Sequence, residues 1–175
     1  MANTFTKIAS TTTSNAVSTV VFSSIPQTYT DLIVLVSARW NQNQESSPWS
    51  SYQIQFNGDS GSNYGSTYGY GLGASGSGGA RGTSQPGTQP GWLASSATSA
   101  NVFGNSRLYI PNYTNSHYKQ IIGEGHTPNN TTTAINSISA GSWKNTASIN
   151  SITFIYAGAP SNLWAAQSTF TLYGI

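Results

Sequence analysis

The strongest constraint on the fold is a two-residue period. In Tyr52-Gln53-Ile54-Gln55-Phe56, three apolar side chains fall on one side of an extended chain and two glutamines on the other. Thr169-Phe170-Thr171-Leu172-Tyr173 repeats the pattern, and Ile152, Phe154 and Tyr156 alternate with Ser151, Thr153 and Ile155. These segments predict half-buried strands. Leu32-Ile33-Val34-Leu35-Val36 is continuously apolar, which predicts a central strand covered on both faces. Further strands are expected over Val17 to Phe22, Arg107 to Ile110, Tyr118 to Ile122 and Ile135 to Ser139.

Turn residues separate these runs: Ile25-Pro26, Asn57-Gly58-Asp59, Gly104-Asn105, Pro111-Asn112 and Pro128-Asn129-Asn130. Asn57-Gly58 after an alternating run predicts a hairpin, since both residues tolerate positive φ. Helical signals are confined to one turn over Ser161 to Ala166 and another over Leu93 to Val102. About seven to nine short strands with polar turns predict an all-β chain, an antiparallel β-sandwich of jelly-roll type, forming one domain over residues 1–175. One stretch interrupts the pattern. Ser60 to Gly91 is dominated by Gly and Ser, with Tyr64, Tyr68 and Tyr70 interspersed. It is expected to be a long Gly/Ser-rich excursion between strands, of a kind that a neighbouring subunit could order.

Composition narrows the chemistry. Only 6% of the residues are charged, against about 25% in an ordinary soluble domain. The 12% aromatic and 37% hydrophobic content is nevertheless enough to build a core, unlike disordered composition. No apolar run reaches the ~18 residues of a spanning helix, so no membrane partner is expected. Lys7, Arg39, Arg81, Arg107, Lys119 and Lys144 are scattered, which argues against nucleic acid. The opening Met1 to Lys7 lacks a basic region followed by an apolar core, so no signal peptide is read, and synthesis in a cytoplasm without passage through a secretion channel is expected. The absence of cysteine removes disulfides, thiolate metal sites and a cysteine nucleophile.

Catalytic constellations are sparse. Among Asp31, Glu45, Asp59 and Glu124, the pair left for glycosidase-type chemistry is Glu45 and Glu124. His117 and His126 are too few for a zinc site, and no serine sits in a strand-to-helix elbow. Asp59 to Asn63 has some oxygen ligands of a calcium loop but lacks its carboxylate density. No enzyme activity, metal or cofactor is therefore expected. The aromatics Trp40, Trp49, Tyr64, Tyr68, Tyr70 and Trp92 lie in loop-like, Asn/Ser/Gly-rich surroundings. Tyr and Trp in that company build recognition surfaces, so these six are the candidate residues for a subunit interface or a glycan site.

Several segments together resemble a family of small virion structural proteins of tailed bacteriophages, particularly those of cyanobacteria and other aquatic bacteria. They are the opening MANTFTKIAS, FSSIPQTYTDL from Phe22, QFNGD from Gln55, FGN from Phe103, YIPNY from Tyr109, AGSW from Ala140, and the closing STFTLYGI from Ser168. The likeness departs most in the Gly-rich segment and around Ala157 to Ala166. It implies a virion structural protein and brings no catalytic residues with it. With one compact sandwich and no shaft, the expected role is a decoration or cement protein on the capsid exterior. Its expected partners are copies of itself, as a homotrimer, and the major capsid protein. The rival is a tail-fibre or baseplate module that binds host surface glycans.

Overall fold

The computed structural model describes residues 4–41, 47–73, 76–129, 134–157 and 163–175. Among the described residues, twelve strands account for the regular structure: β1 (Thr6–Thr12), β2 (Val20–Phe22), β3 (Leu32–Ala38), β4 (Trp49–Phe56), β5 (Tyr64–Gly71), β6 (Ser77–Gln85), β7 (Thr88–Ala94), β8 (Gly104–Ile110), β9 (Lys119–Thr127), β10 (Ile135–Trp143), β11 (Ile152–Tyr156) and β12 (Thr169–Gly174). They form an eight-stranded sheet, β1-β12-β3-β8-β9-β10-β5-β6, and a four-stranded sheet, β2-β11-β4-β7, with every ladder antiparallel.

The connectivity is that of a jelly roll. Strands β1-β12-β3-β8 form one sheet and β2-β11-β4-β7 the other, so along this frame the chain changes sheet at every step except from β4 to β7, which pair with each other. Two antiparallel pairs, β5 with β6 and β9 with β10, are inserted into this frame and widen the first sheet by four strands.

The alternating runs bury the side chains their period requires. Tyr52, Ile54, Phe56, Ile152, Phe154, Phe170 and Leu172 are all inaccessible to solvent. The rings of Trp40 and Trp164 stack with centroids 3.7 Å apart, and Phe170 meets Trp164 edge-on at 5.0 Å. A second aromatic group joins Phe56, Tyr64 and Trp143 nearer the inserted strands.

Towards β9 and β10 the sandwich changes character. Packed sheets ordinarily stand about 10 Å apart, but here β7 lies against the other sheet at backbone contact. A Cβ on Gly123 would sit 2.3 Å from the Pro90 carbonyl oxygen, and one on Gly125 would sit 2.7 Å from the Trp92 nitrogen. Small hydroxyls replace apolar side chains in this seam: Ser139 Oγ donates to Pro90 O at 2.8 Å, and Ser66 Oγ bonds Thr88 Oγ1 at 3.0 Å.

Four expectations are corrected. The Ser60 to Gly91 excursion is strand: β5, β6 and most of β7 lie within it. In β5, Tyr64, Ser66, Tyr68 and Tyr70 share one side while Gly65, Thr67, Gly69 and Gly71 occupy the other, a two-residue period written with glycine. Asn57 and Gly58 do take positive φ, 54° and 71°, with Asp59 N–H donating to Phe56 O at 2.9 Å. However, the turn leads from β4 in the small sheet to β5 in the large one, so it closes no hairpin. β3 is central in its sheet but covered on one face only; Leu35 remains 44% exposed. Leu93 and Ala94 end β7 rather than opening a helix, and the proposed turn over Ser161 to Ala166 is non-helical from Leu163 onward, its first two residues lying outside the described residues.

Candidate functional site

Four of the nine described charged side chains are tied up in holding the fold together. The Arg39 guanidinium donates to the carbonyl oxygens of Ser96, Thr98, Ser99 and Val102 at 3.0–3.2 Å, gathering the loop after β7. Lys119 is fully buried, and its ammonium donates to Asn115 O at 2.7 Å and His117 O at 2.8 Å. Burial pulls the pKa of both cations below their usual values; the carbonyls oppose this by solvating the charge. Asp31 accepts from the Tyr109 hydroxyl at 2.7 Å and the Asn112 N–H at 2.8 Å. Asp59 accepts from the buried Trp143 indole at 2.7 Å and the Gly61 N–H at 2.9 Å. The Trp143 bond is the main reason its carboxyl titrates below the usual aspartate range.

The remaining feature is the outer face of the eight-stranded sheet. Strand registry lines its outward side chains into rows. One row runs Thr171, Leu35, Arg107, Glu124, Ile138, Gly69 across β12, β3, β8, β9, β10 and β5. The next runs Tyr173, Ile33, Tyr109, Ile122, Ala140, Thr67 in the same order. Leu35, Ile122 and Ile138 are 44%, 53% and 64% exposed. Covering them would recover on the order of 1 kcal/mol each.

One ion pair crosses the middle of this face. Arg107 Nε lies 2.8 Å from Glu124 Oε1, with the two side chains 61% and 34% exposed. So open a pair contributes well under about 1 kcal/mol to the fold. His126 completes the ridge, with Nε2 3.9 Å from Glu124 Oε2 and Nδ1 against Asn136 Oδ1. Shallow depressions of about 380 and 350 Å³ flank it, and both are lined by Glu124 and His126.

Of the six aromatic candidates, the structure brings three together. Trp92 is held between Tyr68 (centroids 4.6 Å apart) and Tyr70 (5.5 Å), all three half-buried. Trp49 stands apart, half-buried at the start of β4. The loop placement expected for Trp40 and Tyr64 is corrected: both are core residues. Trp40 stacks on Trp164, and Tyr64 Oη accepts the Phe56 N–H at 2.8 Å and donates to Asp59 O at 3.0 Å. Neither has a face left for a ligand or partner. The open sheet face is the feature that sequence reasoning missed. Its signal was present in Leu35 within an unbroken apolar run and in Ile122 and Ile138 opposite glycine and serine neighbours.

Of the carboxylates considered for catalysis, Glu124 is paired with Arg107, and Glu45 lies outside the described residues. Among the described residues, no group of three His, Cys, Asp or Glu side chains could hold a metal ion, and no helix is long and apolar enough to cross a membrane. Comparison with protein-family models, curated proteins and solved structures finds no match to this chain.

Proposed function

We propose that this chain is a non-enzymatic structural protein of a tailed-bacteriophage virion, acting as a decoration or cement protein on the capsid exterior. The observation that carries this reading is the open face of the large sheet. It is broad, carries exposed Leu35, Ile122 and Ile138, and presents few charges that would be stranded on contact with another protein. A jelly-roll frame with interdigitated sheets supplies a rigid support for such a face. In this role the protein binds copies of itself, as a homotrimer, and the major capsid protein, and stabilises the shell by binding its assembled form only. Locating the protein in intact particles by electron microscopy tests the reading. Hundreds of copies over the capsid lattice are expected; six to a few dozen copies at the tail would overturn it.

A second reading is favoured by one specific observation, the convergence of Tyr68, Tyr70 and Trp92. Aromatic faces stack on sugar rings, so this trio is the site for a host surface glycan if the protein is a tail-fibre or baseplate module. Glycan-array binding lost in Trp92→Ala and kept in Trp49→Ala would establish it. No binding by the unaltered protein would dismiss it.

A further inference from the structure

We propose that the open face of the eight-stranded sheet pairs with the same face of a second copy of this chain, about a two-fold axis that runs along the strands between β8 and β9. Rotation about such an axis lays β8 of one copy over β9 of the other and β3 over β10, while preserving the rows. Arg107 then meets Glu124 of the second copy, and Glu124 meets its Arg107. Leu35 faces Ile138, and Tyr109 faces Ile122. These matches follow from registry alone, since Leu35, Arg107, Glu124 and Ile138 share one row and Tyr109 and Ile122 the next. Beside the axis apolar meets apolar and each charge meets its opposite; only at the rims, where β1 lies over β6, does the same registry set Lys7 towards Arg81.

An axis between any other pair of strands loses this. Centred on β9 itself, it sets Glu124 over Glu124; centred on β8, Arg107 over Arg107. Packed sheets tilt by about 30°, so correspondence is tightest beside the axis, where the two charges lie. Area also suffices. Eight strands about 4.8 Å apart and about seven residues long present roughly 900 Å², close to the ~800 Å² per partner of a stable interface. The exposed Arg107–Glu124 pair, nearly worthless within one copy, becomes a four-charge network once the faces close over it.

This pairing does not rest on the cement-protein reading and departs from it in one respect: a two-fold pair takes the place of the homotrimer, since the same open face cannot meet a second copy and another protein at once. Sedimentation velocity of the full chain tests it with Arg107→Glu and Glu124→Arg. The unaltered protein is expected to sediment at twice its 18.5 kDa chain mass, with each variant alone weakened in association by at least about tenfold. Mixed in equal amounts, the two variants should form a heterodimer, since each supplies the charge the other lacks. Arg107 is exposed and Glu124 half-buried at the surface, with their ion pair contributing little to the fold, so melting curves should stay close to that of the unaltered chain. Should either variant melt early, Ile138→Lys serves the same purpose and should yield monomer. A monomeric unaltered protein, self-association insensitive to these substitutions, or a mixture that stays apart each overturns the proposal. A trimer untouched by all three variants would overturn it while leaving the cement-protein reading intact.

Discussion

A methyl group added at Gly123 would lie 2.3 Å from a backbone oxygen that cannot move aside, whereas one added at Gly71 would meet nothing within 4 Å. Gly123→Ala should therefore lower stability by about 1–3 kcal/mol and Gly71→Ala by about 0.5 kcal/mol or less, as read from urea midpoints. Lys119 makes the opposite demand, a cation where burial alone would choose a hydrocarbon. Lys119→Met keeps the volume but strips a donor from the Asn115 and His117 carbonyls, a loss of about 1–3 kcal/mol by the same measurement. Asp59 links stability to acid. Its pKa is lower in the folded chain than in the unfolded one, so between the two values the unfolded state binds more protons and stability rises with pH. The contribution is fully present above the ordinary aspartate pKa of about 3.9 and fades as pH falls through the folded value. Melting temperature should climb from strongly acidic pH to about pH 5, and Asp59→Asn should flatten that climb while lowering the plateau.

The Gly/Ser-rich segment shows how an element can be hidden by its composition. β5 lies between β10 and β6, so its backbone groups are paired on both sides even though its outward positions are Gly65, Thr67, Gly69 and Gly71. Sheet pairing compensates the entropy that glycine loses, and the tyrosines provide the apolar face. β6 is different: it is an edge strand, exposed along almost its whole length. Hydrogen exchange should separate them, with β5 amides strongly protected and those on the free edge of β6 exchanging quickly. Exchange of Tyr64–Gly71 at the unfolded rate would overturn this assignment. The same logic explains β3. Its apolar run identifies a strand in the middle of a sheet, but whether a second layer lies over its outer face depends on where the inserted strands go, and they widen the sheet rather than cover it.

Over the molecule as a whole, the first strand pairs with the last. β12 is inserted between β1 and β3, so a strand from the last residues sits inside the large sheet and contributes Phe170 and Leu172 to the core. A chain ending at Ser168 should fail to fold, as judged by loss of the sharp melting transition. A chain starting at Thr13, lacking only the exposed edge strand β1, should still melt cooperatively at a lower temperature. The alternation at Tyr52–Phe56, Ile152–Tyr156 and Thr169–Tyr173 was enough to read an all-β sandwich from the amino acids, because a pleat converts period two directly into an inside and an outside. Cysteine content, charge scarcity and the missing apolar spans were equally legible, being properties of composition. The site was less so. Trp40 and Tyr64 have the same kind of polar neighbours in sequence as Trp92, and nothing local says that the first two stack in the core while the third meets Tyr68 and Tyr70. The pairing of Arg107 with Glu124, and their place between Leu35 and Ile138, exists only through ladders joining β3, β8, β9 and β10. Local periodicity determines which residues share a face, since that is set by the geometry of one strand. Which strands lie side by side, and which face is left open, is decided by long-range registry, where residues far apart in the chain are brought within a few ångströms.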